Sequence, residues 1–390
     1  MPDVEPILEP HALRRYSRQI LLDEIGLAGQ QKISAAKVLV IGAGGLGSPA
    51  ALYLAAAGVG TLGIADHDAV EEHNLQRQLL HSTVNIGKPK VDSAITALRA
   101  LNPHVQLIPH RDGITADNAL ELFESYDIIV DGTDNFLVRY LNNDAAYFTR
   151  RPLVHGSVFK FEGQISVFDP SKGGPCYRCL FPEPPTAGSV PACGEAGVMG
   201  ALCGIIGSMQ AMEVIKLITG CSPAIVGRLL IYDAFSHQTQ SHGIKADPHC
   251  PLCGNSPEIT AIKPEHYRFK CEAVAEKQMS PTEYPTEISV HEASELLRTK
   301  SSQTLLIDVR ESSELQICQL EMARHIPMRE IPAQLENLPK SQHLLILCHS
   351  GMRSRSVTDF LRTNGISTVS NIAGGINAWA VEIDPTLTRY

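Results

Sequence analysis

Basic charge is in short supply: 33 Lys and Arg stand against 42 Asp and Glu in 390 residues, a formal net charge of −9. Nucleic-acid affinity rests on cations that neutralise phosphates, so a general polyanion-binding surface is excluded and no nucleic-acid partner is expected. No secretory leader is expected, because MPDVEPILEPHALRRYSRQ is acidic and polar where export needs a basic start and an apolar core. No clean membrane span is present either. The most apolar stretch, Met199 to Gly220, has the length of a spanning helix, yet it contains Glu213 and Lys216 and is broken by glycines. Charges within a span are expensive, so this stretch is expected to be a buried helix of a cytoplasmic protein with no membrane partner. Internal repeats and low-complexity tracts are absent.

What is there is enough apolar material for two cores. The chain exceeds the size at which one core stops growing, and 44% of its residues are hydrophobic. From Lys37 to about Phe235, short β-branched runs such as KVLVIG and DIIVDGTD alternate with helical ones such as LGSPAALYLAAAG. This alternation predicts a Rossmann-like α/β fold with a doubly wound parallel sheet. A polar, proline-bearing stretch over residues 255–285 predicts a linker between a first domain of residues 1–254 and a second, smaller α/β domain of residues 286–390.

IGAGGLGS closes an apolar strand and opens a helix, placing Gly42, Gly44 and Gly47 in a GxGxxG arrangement whose backbone N–H groups suit a pyrophosphate. Asp66 ends the next strand, where a Rossmann carboxylate binds ribose hydroxyls. Those features alone equally describe a nicotinamide dehydrogenase. Asn74, Arg77 and Lys90 add the donors and positive charge that an ATP polyphosphate needs, and Asp134, after a parallel strand, offers a ligand for Mg²⁺.

RYSRQ, IGAGGLGS, the aspartate of GIADHD, NLQRQ, GKPK and GTDN occur in the order that resembles the MoeB/ThiF family of ubiquitin-activating-type adenylyltransferases, over roughly Arg15 to Cys253. The resemblance implies ATP as substrate, with Asp66 on the ribose, Arg77 and Lys90 on the phosphates near Asn74, and Asp134 on Mg²⁺. It further implies that Arg18 reaches the phosphates from the other subunit of a homodimer. The partner so implied is a small ubiquitin-like sulfur carrier ending in Gly-Gly.

Of the ten cysteines, Cys176 with Cys179 and Cys250 with Cys253 form two CxxC pairs. Four thiolates suit tetrahedral zinc and leave no open position for water, which predicts a structural rather than catalytic metal; a redox dithiol or reduced buried cysteines are the alternatives. The same two pairs occur in the resembled family. Cys193, in PACGEAGVMG before a long helical run, is a candidate reactive thiol, because a helix N-terminus favours thiolate. In that family a cysteine at this point takes part in acyl or persulfide transfer.

In the second domain, LLILCHS runs into GMRSRS, so Cys348 opens a short C-x-x-G-x-R loop in which backbone N–H groups, the helix dipole and Arg353 are expected to favour negative sulfur. A phosphatase loop is one residue longer, and Leu347 rather than histidine precedes this cysteine, so sulfur fits better than phosphate. With LLIDVRESSE and AGGINAW in order, the region from about Ile288 to Ala380 resembles rhodanese-type sulfurtransferases. That resemblance makes Cys348 the persulfide carrier and gives Asp308 and Arg310 a role in the fold. EMARHIPM replaces the usual glycine-rich turn beside the site, leaving the sulfur donor open between a cysteine desulfurase and thiosulfate. A nucleotide- and zinc-binding sensor without turnover is the non-enzymatic alternative.

Overall fold

The computed structural model describes residues 8–184, 197–267 and 284–390, which fall into two compact units divided near residue 268. In the first unit an eight-stranded sheet has the order β3-β2-β1-β4-β5-β6-β7-β8. Strands β1 (Lys37–Ile41), β2 (Thr61–Ala65), β3 (Gln106–His110), β4 (Ile128–Asp131) and β5 (Leu153–Phe159) are parallel. Val38 and Val40 join the core on one face, while Leu39 and Ile41 join the core on the other. Burial on both faces is what gives parallel strands their continuous apolar runs.

The sheet departs from the expected all-parallel form at one edge. β6 (Glu162–Phe168), β7 (Arg228–Asp233) and β8 (Gln238–Gly243) are antiparallel. The physical reason is the connection: Lys160 and Phe161 join β5 to β6, with Lys160 at φ 55°, and so short a turn permits only a hairpin.

The apolar stretch forms the helix Gly200–Thr219, the one described helix long and apolar enough to cross a membrane. It packs against the helix Gly47–Ala57 and across β5 and β6. Its charges are satisfied within the fold, with Lys216 Nζ 2.6 Å from Glu213 Oε1 and the Ile225 N–H donating to Glu213 Oε2 at 2.9 Å.

Residues 255–267, expected as linker, belong to the first unit. Ile262 and Tyr267 pack on its core, and the Tyr267 hydroxyl donates to Asp144 at 2.9 Å. The segment is irregular apart from the turn Pro264–Tyr267, so it carries no periodicity to betray its burial. Residues 268–283 of the predicted linker lie outside the described residues, as does Cys193.

The second unit holds a parallel five-stranded sheet of order β11-β10-β12-β13-β9. Its strands are β9 (Glu287–Ile288), β10 (Thr304–Asp308), β11 (Arg324–His325), β12 (His343–Leu347) and β13 (Val369–Ile372). β12 is central and fully buried, and Cys348 follows it immediately.

Candidate functional sites

Strand order in the first unit reverses between β1 and β4, and ligands of such sheets bind at the carboxyl ends of the strands flanking that point. A cavity of about 490 Å³ opens there. It gathers Gly42, Gly44, Asp66, Asn74, Arg77, Lys90 and Asp134, which the sequence spreads over 93 positions.

Backbone crowding explains two of the glycines. Gly42 has φ +89°, and a Cβ on it would meet the Gly132 carbonyl oxygen at 3.0 Å. A Cβ on Gly47 would collide with the Gly42 carbonyl oxygen, so this glycine serves the close packing of the helix on the loop and does not line the cavity. Gly44 differs, since a Cβ there would find only Gln78 Nε2 at 3.8 Å. Its bareness leaves room for a ligand.

Asp66 is held ready by two amides: the Ala43 N–H donates to Oδ2 at 2.8 Å and the Asp68 N–H to Oδ1 at 2.9 Å. Lys90, its side chain only 8% exposed, pairs with Asp68 at 2.7 Å. Burial works to raise the Asp68 carboxyl, but the Lys90 hydrogen bond and charge hold it below its ordinary value. Arg77 is anchored by Nη1 donating to the His73 carbonyl at 3.2 Å. His81, absent from the sequence-based set, fixes the glycine loop: its Nε2 donates to the Ala43 carbonyl at 2.9 Å while Nδ1 lies 3.0 Å from Ser93 Oγ. Burial holds this imidazole below its ordinary pKa.

Asp134 is exposed at the cavity, on the turn between β4 and the helix Phe136–Thr149. Asn135 caps that helix, accepting from the N–H groups of Leu137 and Val138. Arg139, buried and also lining the cavity, donates to the Thr133 carbonyl at 3.2 and 3.0 Å. Arg18 lies on the short helix Ser17–Ile20, exposed and outside the lining of its own chain's cavity.

The sulfurs of Cys176, Cys179, Cys250 and Cys253 lie within 4.8 Å of one another. Separations of 3.9, 3.6, 3.3 and 3.5 Å bracket the ~3.8 Å edge of a tetrahedron with Zn–S bonds of about 2.3 Å. The set therefore fits a four-coordinate metal. Arg178, between the first two cysteines, makes a buried bidentate pair with Asp144 at 2.8 and 2.7 Å, locking this knuckle to the helix Phe136–Thr149.

Cys348 is buried, and its sulfur receives the Gly351 N–H at 3.1 Å and the Ser354 hydroxyl at 3.2 Å. Gly351, at φ +92°, is the N-cap of the helix Met352–Thr363. The AGGINAW segment packs onto this loop, with the Ile376 N–H donating to the Cys348 carbonyl at 2.8 Å. Arg353, expected to favour negative sulfur, also has a buried carboxylate partner. Its Nη1 and Nη2 donate to the two oxygens of Glu314 at 2.8 and 2.7 Å, so the charge expected to face the sulfur is largely matched by a buried carboxylate. Tyr390 also escaped the sequence set: its hydroxyl donates to Glu314 at 3.0 Å and its ring stacks on His349 at 4.4 Å. Asp308 and Arg310 form a buried pair at 2.6 Å inside the fold.

The ThiF family model matches residues 16–252, and the rhodanese-like domain model matches residues 289–382. "Adenylyltransferase and sulfurtransferase MOCS3" of Aedes aegypti is 40% identical over 401 residues, covering 98% of this chain and 90% of that one. "Probable adenylyltransferase/sulfurtransferase MoeZ" of Mycobacterium tuberculosis is 40% identical over 396 residues, covering 100% and 98%. Among solved structures, E. coli MccB with MccA-N7isoASN shares the fold, with a TM-score of 0.57 at 23% identity over 62% of this chain and 75% of that one.

Proposed function

Because this chain belongs to the ThiF family and carries a rhodanese-like domain behind it, we propose that it adenylates the C-terminal Gly-Gly of a small ubiquitin-like sulfur carrier and then sulfurates that terminus from Cys348. The supporting observation is that one chain combines a cation-lined cavity at a sheet's switch point with a cysteine whose sulfur is the target of donated hydrogen bonds.

In the first step the carrier carboxylate attacks the α-phosphate of ATP and pyrophosphate leaves. The glycine-loop amides, Arg77 and Lys90 orient the polyphosphate and stabilise charge building on its oxygens, while Asp66 holds the ribose. Mg²⁺, held by Asp134, would supply further neutralisation of the phosphates. Arg18 is assigned to the partner chain's cavity in a homodimer. In the second step the outer sulfur of a Cys348 persulfide attacks the acyl carbon and AMP leaves, giving an acyl disulfide on Cys348; a second thiolate then attacks the Cys348 sulfur, releasing the carrier thiocarboxylate and leaving a disulfide that an external thiol reductant reopens. Tethering both sites raises the effective concentration of persulfide around an adenylate prone to hydrolysis. We assign Cys193 to acyl or persulfide transfer between the two chemistries, and place the enzyme in the cytoplasm. A cysteine desulfurase or thiosulfate charges Cys348. Incubating the protein with ATP, a sulfur source and each candidate carrier, from molybdopterin, thiamine, cysteine or tRNA-thiolation pathways, tests this by mass spectrometry. The molybdopterin-type carrier should gain the mass of sulfur replacing oxygen; a panel with no shifted carrier would overturn the reading.

The cysteine cluster is assigned to one structural zinc. Metal analysis should find near one zinc per chain, and Cys250→Ser should lower the thermal midpoint by about 10 °C or more, since binding at such a site is coupled to folding. A metal-free chain of full stability would refute the assignment.

For Arg18, mixing Arg18→Ala chains with Asp134→Ala chains should recover activity at one of the two sites of each heterodimer, although each variant alone is inactive. Mixed dimers that form yet stay inactive would exclude a shared site.

A further inference from the structure

His155 lies directly opposite Asp131 across the parallel β4–β5 ladder. Its Nδ1 donates to Asp131 Oδ2 at 2.9 Å, with the two side chains 4% and 0% exposed. The other carboxylate oxygen folds the following turn back on itself. Oδ1 accepts the Thr133 N–H at 3.2 Å, the Thr133 hydroxyl at 2.7 Å and Asn142 Nδ2 at 3.2 Å. Arg139 grips the same turn from the opposite side, at the Thr133 carbonyl. The next residue is Asp134.

A carboxylate buried this deeply tolerates its charge only while its donors stay in place. The His155 ring cannot easily turn away, because Tyr177 packs on it with centroids 5.0 Å apart and Phe168 at 6.2 Å. Tyr177 stands between Cys176 and Arg178, and its N–H donates to Asn143 Oδ1 at 2.7 Å. The knuckle formed by the four cysteines therefore presses on the ring that steadies the turn of Asp134.

We propose that His155 is a positioning residue for the Asp134 turn, and that Tyr177 holds its ring in place so that the four-cysteine knuckle braces the cation site from behind. This rests on the assignment of Asp134 to Mg²⁺ made above. Removing an outer partner that orients a metal ligand typically costs about 10–100-fold in metal affinity or activity, and here, where the ring lies behind the turn and not against the substrate, the loss is expected in affinity.

The test uses the full-length protein and carrier-dependent pyrophosphate release measured against Mg²⁺ concentration at saturating ATP. His155→Phe keeps a ring against Tyr177 but removes the Nδ1 donor. It should raise the half-saturating Mg²⁺ concentration about tenfold, with the maximal rate within about threefold of the parent, and His155→Asn, which retains a donor, should recover part of that shift. Thr133→Val removes a second donor to Asp131 at the surface end of the network, so it should move the Mg²⁺ midpoint in the same direction even if the His155→Phe protein is poorly soluble. An unchanged midpoint in the soluble variants, or a fall in maximal rate with no change in midpoint, would overturn the proposal. Asp134→Ala distinguishes the two levels: an unaltered Mg²⁺ dependence there would sink the cation assignment itself, whatever His155 does.

Discussion

Asp134→Ala should abolish carrier-dependent pyrophosphate release while leaving sulfur transfer from thiosulfate to cyanide at the parental rate. The carboxylate is exposed at the cavity on a turn whose position is set by Asp131, Arg139 and the capped helix behind it, so its removal should leave the fold intact. What is lost is the ligand for the ion that shares the polyphosphate charge. A metal in that role is worth several kcal/mol of transition-state stabilisation, which corresponds to a loss on the order of a thousandfold. The second unit has its own sheet, core and reactive loop, so thiosulfate chemistry at Cys348 should not respond. A loss of both activities in a folded variant would mean that the two sites are not independent.

Cys348→Ala should give the converse result. Pyrophosphate release should continue, because none of the described residues lining the first cavity comes from the second unit. Thiocarboxylate formation should fall by on the order of ten-thousandfold, since the substitution deletes the nucleophile itself. Free sulfide at high concentration should restore product by attacking the acyl-adenylate directly. If pyrophosphate release also disappeared, the second domain would have to be part of the adenylation site.

Much of the first site could be read from local motifs, because parallel strands deliver their ligand residues at strand ends. IGAGGLGS, GIADHD and DGTDN each end a strand and each supply part of one cavity. The supports were not readable in the same way. His155 meets Asp131 from a neighbouring strand, and Arg353 meets Glu314 39 residues upstream, so no local pattern announces either pair. Both pairs join charges that lie far apart in the sequence. Arg353 was read by its closeness in sequence to Cys348, whereas burial obliges a guanidinium to find a carboxylate wherever the fold supplies one. The antiparallel edge and the packed segment 255–267 were missed for a related reason: hairpin connection and irregular burial leave no helical or alternating period in the sequence.

In the proposed reaction sulfur passes from Cys348 to an activated carrier. The most direct measurement is to load Cys348 with radiolabelled sulfur, remove the excess donor, and add carrier with or without ATP and Mg²⁺. Label should move from the enzyme to the carrier only when ATP is present, and not at all in the Cys348→Ala chain. Transfer to the carrier without ATP, or label that stays on the enzyme while adenylation proceeds, would contradict the account.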